Sequence, residues 1–150
     1  MGDDRRVVSD VSALGVTVRI VADEALSVDD TERVVSAWKD AAATTESDPD
    51  DIVTASGIGD LERMLETLTT RVTLAAIEQQ RGKLWMFHAA GVALPDGRVV
   101  AFVGPSGRGK TTLSRALGRK YGYVSDETIA VNDQLDVFEY RKPLSVVREG

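Results

Sequence analysis

One glycine-rich run has the residue types and the spacing to bind phosphate. Residues 104–111 read Gly-Pro-Ser-Gly-Arg-Gly-Lys-Thr, which matches the pattern G-x-x-x-x-G-K-[ST]. Its glycines permit backbone conformations closed to other residues, so that amide N–H groups can approach phosphate oxygens. We therefore predict a phosphate loop whose cofactor-binding residues are Gly104, Ser106, Gly107, Arg108, Gly109, Lys110, Thr111 and Thr112.

The residues at the end of this loop have distinct predicted roles. Lys110 is placed to reach the terminal phosphates of a nucleotide, and the Thr111 hydroxyl is a candidate Mg²⁺ ligand. A helix predicted from about residue 109 to 120 directs its N-terminal dipole at the same anion. Its predicted inner face is Leu113, Ala116 and Leu117. An apolar strand before the loop and this helix after it disfavour the alternative, a glycine-rich turn without chemistry.

An acidic pair follows soon after the loop. Asp126 and Glu127 come directly after a short apolar stretch, 123–125, and they are candidate catalytic residues and candidate metal ligands. Phosphoryl transfer needs a carboxylate for Mg²⁺ and, for a hydroxyl acceptor, a base. Adjacent strand residues point to opposite faces, so one acid can face the metal while the other faces away. Asp126 is the candidate base, and a polar turn without a catalytic role is the alternative.

Composition excludes several other kinds of site. The 150 residues include 18 basic and 24 acidic ones and carry a net charge of −6, which disfavours general nucleic-acid binding. There is no cysteine, so disulfides, thiolate zinc sites and cysteine nucleophiles are excluded. The single histidine, His88, excludes metal sites built on several histidines.

The sequence shows no membrane-spanning or targeting segment. The longest apolar stretch is 84–95, well short of the roughly 20 residues that a spanning helix needs. We therefore expect a soluble, cytoplasmic protein without a membrane partner.

Charge is unevenly distributed, because residues 1–60 contain 14 acids and 5 bases whereas residues 61–150 contain 10 acids and 13 bases. This asymmetry hints at two regions, but a solvated acidic surface is the more usual cause of such a charge run.

Hydrophobic periodicity predicts the elements of the N-terminal region, 1–80. Alternation from Leu14 to Ile20 predicts a strand. Asp29 and Asp30 are predicted to cap a helix whose apolar residues are Val34, Val35, Trp38 and Ala42. Residues 44–51 form an acidic loop, and a long helix is predicted from about Leu61 to Gln80, ended by Gly82.

The elements of the C-terminal region, 81–150, surround the loop. Two apolar runs, 84–94 and 98–103, are separated by the turn Pro95-Asp96-Gly97 and predict a hairpin in which Trp85 and Phe87 pack in the core. A second turn at 132–134 precedes a strand through Val137 and Tyr140. The predicted fold class is α/β: a P-loop nucleotide-binding core with a mixed sheet, preceded by a smaller acidic α/β region.

The C-terminal motifs resemble the catalytic domain of HPr kinase/phosphorylase, a family that shares its core with ATP-dependent phosphoenolpyruvate carboxykinase. The resemblance covers about residues 84–147. It rests on the motifs His-Ala-Ala-Gly-Val at 88–92, Gly-Pro-Ser-Gly-Arg-Gly-Lys-Thr-Thr at 104–112, Gly-Tyr-Val-Ser-Asp-Glu at 122–127 and Lys-Pro-Leu-Ser at 142–145. It implies a histidine near the transferred phosphate, here His88, and an acid pair, here Asp126 and Glu127, where the family has two aspartates.

The resemblance implies an ATP-dependent kinase that uses Mg²⁺ and acts on a protein serine or a small-molecule hydroxyl. The family's catalytic domain continues past the Lys-Pro-Leu-Ser stretch, so we expect this chain to lack the C-terminal part of that domain. It is then either a fragment or a reduced relative, and a non-catalytic ATP-binding or interaction module is the alternative function. A homo-oligomer stays open, and so does the identity of the acceptor.

Overall fold

The computed structural model describes residues 5–105 and 107–143. Strands and helices alternate along the chain, which confirms the α/β class. They divide into two compact units: one holds the described residues up to Gln79 together with Lys142 and Pro143, and the other is Gln80–Arg141. The first unit holds more residues than the second, so the expectation of a smaller N-terminal region is wrong.

The elements are named here in chain order. The first unit contains β1 (Arg6–Ala13), β2 (Val16–Ala22), α1 (Val28–Ala37), a short 3₁₀ turn (Lys39–Ala41), β3 (Asp51–Ala55) and most of α2 (Leu61–Gln80). The second contains β4 (Trp85–Ala93), β5 (Val99–Val103), α3 (Lys110–Gly118), β6 (Gly122–Ser125), β7 (Thr128–Val131) and β8 (Val137–Phe138). None of the helices in the described ranges is long and apolar enough to cross a membrane.

The sheet of the first unit is mixed. Its order is β1-β2-β3, with β1 antiparallel and β3 parallel to β2. The sequence predicts one strand from Leu14, but Leu14 and Gly15 form the turn of a β1–β2 hairpin, with φ of 52° and 84°. Positive φ at both central residues is typical of the hairpin turn that matches strand twist. The Leu14 side chain is fully buried, which holds a non-glycine residue in that conformation.

Helix α1 begins two to three residues earlier than the acidic cap predicted for it. Its N-cap is Ser27, whose hydroxyl accepts a hydrogen bond from the Asp30 amide at 3.1 Å. Asp29 and Asp30 instead lie in the first turn, where their charge favours the helix dipole. Trp38 is fully buried whereas Val35 is 44% exposed, so the predicted apolar face is correct only in part.

Helix α2 has the predicted bounds and packs by its central apolar residues. Leu68, Val72 and Ala76 are buried. The preceding strand, β3, is missed by sequence reasoning because it is short and starts within an acidic run. Side chains of α2 reach it, since Arg71 Nη1 donates to the Thr54 carbonyl at 3.3 Å.

Strand β4 is the centre of the second unit's sheet. It pairs with β5 on one edge and with β7 and then β6 on the other, and β8 extends the sheet beyond β7. The β4–β5 hairpin has the predicted turn at residues 95–97. Every strand pair in the described part of this unit is antiparallel. A mixed sheet was expected around the phosphate loop, but the mixed sheet is that of the first unit.

Helix α3 packs against β4 and β6 through small side chains. Ser114 is fully buried, and a Cβ added at Gly118 would lie 3.5 Å from the Cβ and 3.6 Å from the Cδ2 of Tyr123. The predicted inner face is wrong for Leu113 and Ala116, which are exposed, whereas Leu117 is half-buried. The small residues allow the helix to approach the sheet closely, which turns the larger Leu113 toward solvent.

Two further core predictions fail in this unit. Trp85 is 66% and Phe87 46% exposed. Both precede the stretch of β4 with which β5 pairs, Ala89–Ala93, so no β5 side chain stands beside them. The strand predicted through Tyr140 is only Val137–Phe138, although the buried Tyr140 still donates its amide to the Val124 carbonyl at 3.0 Å.

A paired charge on the first sheet makes a pH-dependent stability prediction. Arg19 Nε and Nη2 donate to the two carboxylate oxygens of Asp10 at 2.8 Å, across directly paired strand positions. These hydrogen bonds hold the pKa of Asp10 below its ordinary value. The resulting stabilisation is fully present above the unfolded-state pKa, near 3.9, and is lost as pH falls through the folded-state value.

We expect Asp10→Asn to lower the melting temperature at pH 7 and to have a smaller effect at pH 2, because the stabilisation by the wild-type carboxylate declines as pH falls. Thermal unfolding followed by circular dichroism at both pH values measures this. Asp40→Asn, at an exposed position in the same unit, is the control. An equal loss at both pH values would contradict the charge-based explanation.

Candidate functional site

The phosphate loop connects the edge strand β5 to helix α3. The helix begins at Lys110, and its N-cap is Gly109 in the left-handed conformation at φ 84°. Gly107 has a φ of 79°, and a Cβ added at either glycine would meet no atom within 4 Å. These glycines are thus required by backbone conformation and not by crowding. The surrounding space is open to a ligand, and the free amides of the first helical turn face it.

Lys110 is already directed at its own loop. Its Nζ donates to the carbonyl oxygens of Gly104 and, at 3.0 Å, of Pro105. A phosphate bound by the loop would compete with these carbonyls for the ammonium group, and the stronger charge-assisted contact would be to the anion. Thr111 is half-buried next to Lys110, whereas Thr112 and Arg108 are exposed. Ser106 lies outside the described residues.

Strand β4 places the phosphate loop and the acidic pair on its two edges, beside the same central residue, Ala89. On one edge Ala89 pairs with Val103, the last residue before the loop. On the other edge the Ala89 amide donates to the Glu127 carbonyl at 2.9 Å. The two features are therefore separated by two strand spacings, about 10 Å. A nucleotide triphosphate on the loop would extend over a distance of this order.

Asp126 and Glu127 form a bend between β6 and β7, called here the acid bend, and do not lie on a strand. The expectation that strand alternation would separate the two side chains therefore does not apply. The Ser125 hydroxyl stabilises the bend by accepting from the amides of Glu127 at 3.3 Å and Thr128 at 3.2 Å. Asp126 is only 8% exposed, whereas Glu127 is half-buried.

Strand β6 leads into the acid bend through an irregular register. Gly91 pairs with Ser125 but Val92 pairs with Tyr123, so β6 carries one extra residue at this point. Such bulges redirect the following side chains and are common beside functional sites. Burial raises the pKa of the Tyr123 phenol, and the charge of the neighbouring Asp126 carboxylate raises it further.

Sequence reasoning missed the contributions of Ser125 and Tyr123. The available signal for Ser125 is its type and place, because serine before two acids commonly accepts hydrogen bonds from the following amides in a turn. No comparable signal identifies Tyr123, since its proximity to Asp126 depends on the bulge in β6 and on the helix packed above it.

His88 lies on β4 next to the acid bend. It pairs with Thr128 in the β4–β7 ladder. It comes directly before Ala89, whose amide donates to the Glu127 carbonyl. Strand alternation places it on the same face as Val92, which pairs with Tyr123 beneath α3. His88 is exposed. The structure thus places His88 one residue before Ala89, on the same face of β4 as Val92.

The donor set of this site suits Mg²⁺ carried with phosphates. Within residues 5–105 and 107–143 no group of three or more histidine, aspartate or glutamate side chains converges as a metal centre would. Mg²⁺ does not need one, because it is commonly held by one or two protein oxygens together with substrate phosphates and water. The Thr111 hydroxyl and the carboxylates of the acid bend are oxygen donors of this kind.

Comparison with known proteins finds similarity over part of the chain. It is 41% identical over 68 residues to the ABC multidrug transporter E of Aspergillus fumigatus, covering 43% of this chain and 5% of the transporter. It is 38% identical over 50 residues to the phosphate import ATP-binding protein PstB 1 of Vibrio vulnificus, covering 33% of this chain and 18% of that protein. The same protein of Vibrio parahaemolyticus is 40% identical over 58 residues, covering 37% and 21%.

The chain thus spans about a fifth or less of the length of these relatives. No protein-family profile matches the chain. No solved structure matches it either.

The left-handed glycine at the start of α3 makes a prediction with a matched control. Gly109 and Gly97, in the β4–β5 turn, have φ of 84° and 86°, and the space that a Cβ would occupy is equally open at both. Alanine at either position should cost about 1 kcal/mol of stability, because the left-handed conformation is strained for alanine. We expect only Gly109→Ala to weaken nucleotide binding, by about tenfold, since it displaces amides of the loop.

Isothermal titration calorimetry with ATP and urea unfolding of both variants check this prediction. Equal nucleotide affinity in the two variants would show that the loop conformation does not control binding.

Proposed function

We propose that this chain binds ATP with Mg²⁺ at the phosphate loop and transfers the γ-phosphoryl group to a hydroxyl of a protein serine or a small molecule. The observation that carries the proposal is the sheet geometry, in which Ala89 joins the end of β5 on one edge and the acid bend on the other. A phosphate-binding loop and two carboxylates on the two edges of one strand, beside the same residue, are parts that phosphoryl transfer requires.

The comparisons support the nucleotide part of this proposal. The relatives named as ATP-binding and ABC proteins share 38–41% identity with segments of this chain, which supports ATP binding. They give no support to a kinase in particular. The kinase part depends on the resemblance to HPr kinase/phosphorylase carried by the motifs at 88–92, 104–112 and 122–127, and on the acid bend beside the loop.

The residues of the loop bind and orient the nucleotide. Backbone amides of residues 106–111 contact the phosphate oxygens, and Lys110 leaves the Gly104 and Pro105 carbonyls to neutralise charge developing on the β and γ phosphates. Thr111 and Asp126 would hold Mg²⁺, which when bound screens the phosphate charge. Because Asp126 is 8% exposed, it suits a ligand to an enclosed ion better than a contact to an incoming acceptor.

The more exposed carboxylate of the acid bend suits the base. The acceptor oxygen attacks the γ-phosphorus, and the bond from that phosphorus to the bridging oxygen of ADP breaks. The acceptor proton passes to the Glu127 carboxylate, which has the access that Asp126 lacks. The sequence favours Asp126 as the base, and its burial is the reason for assigning that role to Glu127 instead. His88, exposed on the helix-covered face, is the proposed contact to the transferred phosphoryl group.

A second function has a specific observation in its favour. Trp85, Phe87 and Val103 are 66%, 46% and 75% exposed, and they share one face of β4 and β5. Exposed apolar side chains grouped beside a ligand site are typical of interaction surfaces. A non-catalytic module, in which ATP on the loop controls binding of a partner, is therefore the alternative. The two functions differ in whether Glu127 affects turnover.

The first prediction tests nucleotide binding. We expect the 150-residue chain to bind MgATP in preference to MgGTP, and Lys110→Ala to weaken the ATP affinity by roughly 10- to 100-fold through loss of a charged phosphate contact. Calorimetric titration measures both. Lys120→Ala, near the opposite end of α3, is the matched control and should retain affinity. Equal affinity in Lys110→Ala and wild type would contradict binding at this loop.

The second prediction separates the two acids. We expect Glu127→Gln to bind MgATP normally but to reduce phosphoryl transfer by about 10²- to 10⁴-fold, the range for loss of a general base. Asp126→Asn should bind ATP normally without Mg²⁺ but gain little affinity when Mg²⁺ is added. Release of ADP in the presence of candidate hydroxyl acceptors, together with calorimetry, provides the readouts. Unchanged turnover in Glu127→Gln with intact binding would favour the module.

A further inference from the structure

Strand β5 forms an edge of the second unit's sheet, and among residues 5–105 and 107–143 no strand pairs with its outer side. Its sequence, Val-Val-Ala-Phe-Val at 99–103, has no charge and no proline, and its ladder with β4 has no register shift. Val103 is 75% exposed, and Ala101 is exposed as well. Natural proteins usually protect such an edge from other strands with charges, bulges, short strands or covering segments.

The sheet edges at β1, β3, β6 and β8 have this kind of protection. At β1 the Ala43 amide donates to a carbonyl of the strand at 2.8 Å, and the ladder with β2 contains a register shift. At β3 Arg71 of α2 donates to a strand carbonyl, and at β6 the Tyr140 amide does the same. Strand β8 has only two residues. The edge at β5 differs from all four of these.

Two hydrogen bonds establish which backbone groups of β5 point outward. The Leu94 amide donates to the Arg98 carbonyl at 2.7 Å, so this pair is hydrogen-bonded across the β4–β5 hairpin. The Ala89 amide, in contrast, donates away from β5, to the acid bend on the other side of β4. Hydrogen-bonded and non-hydrogen-bonded pairs alternate along an antiparallel ladder. The residues of β5 whose amides and carbonyls point outward are therefore Val99, Ala101 and Val103.

We propose that the outer edge of β5 pairs with the same edge of a second copy of this chain, in an antiparallel register centred on Ala101. In this register Ala101 is opposite its own counterpart, and Val99 is opposite Val103 of the other copy. All three have outward-pointing groups, so every outward amide of the strand meets a carbonyl. Val100 is then opposite Phe102, and such a pair of a β-branched and an aromatic side chain stabilises adjacent strands.

The composition of β5 favours a second copy as the partner. The same five residues satisfy both sides of the pairing, and no charges are brought together because the strand has none. Two-fold pairing of this kind closes at a dimer. A five-residue strand is smaller than the roughly 20–30 residues a side of a standard interface, so we expect a dissociation constant on the order of 10–100 µM. This pairing is independent of nucleotide binding and of the acid bend.

Sedimentation equilibrium of the full chain between about 5 and 500 µM tests the pairing. We expect a monomer–dimer equilibrium for the wild type. Ala101→Pro should weaken the dimer by roughly 10- to 100-fold, because it removes an outward amide from both copies but no hydrogen bond to β4. A wild type that stays monomeric over this range would overturn the proposal, and so would a dimer that Ala101→Pro leaves unchanged.

Opposite charges at position 101 test the register. Ala101→Lys and Ala101→Glu each place like charges opposite one another, so each variant should self-associate about fivefold more weakly than wild type. An equimolar mixture should regain the wild-type affinity, because Lys then meets Glu across the two-fold axis. Such a rescue requires both variants to be folded, and it therefore separates pairing from a folding defect.

Ile52→Lys is the matched control, because Ile52 is 47% exposed on β3, an edge strand of the other sheet. It should keep wild-type association. Weakening by the variants at position 101 without rescue in the mixture, or equal weakening by Ile52→Lys, would overturn the proposal.

Discussion

The hydrogen bonding of Ala89 is the constraint on which the candidate site depends. This fully buried residue of β4 pairs with Val103 on one edge and donates its amide to Glu127 on the other. The phosphate loop begins directly after Val103, and the acid bend contains Glu127. Because strand spacing is nearly invariant, one residue fixes the separation of the loop from the carboxylates. Its small side chain also belongs to the apolar cluster formed with Val124 and Ile129, which anchors both neighbours.

The site combines rigid placement with groups that can exchange partners. The acid bend is fixed by Ser125, and α3 is fixed by the close approach of Ser114 and Gly118 to the sheet. The Lys110 ammonium, in contrast, donates to two loop carbonyls, which an anion can replace. The fixed backbone amides at the start of α3 and the Lys110 ammonium, which can exchange its partners, suit a site that stabilises charge on a phosphate. The same arrangement also suits an ATP-controlled module, and the two differ only in the use of Glu127.

The partial similarity to ATP-binding proteins of transporters supports ATP binding, and a phosphate loop is the part of this chain suited to it. The loop depends on backbone amides and helix geometry that are independent of the final acceptor of the phosphoryl group. The similarity covers between a third and somewhat under half of this chain. It therefore supports nucleotide binding and does not identify a phosphoryl acceptor. The proposed phosphoryl transfer depends on the acid bend, whose backbone the Ser125 hydroxyl stabilises.

The sequence by itself determined the features whose cause is local. The glycines of the loop, the bounds of α2 and the β4–β5 turn follow from backbone conformation and periodicity within a few residues. Only the tertiary structure decided the strand pairings, the exposure of Trp85 and Phe87, the buried face of α3 and the burial of Asp126. Each of these depends on which element packs beside another, and such long-range contacts are set by the shape and size of all partners together.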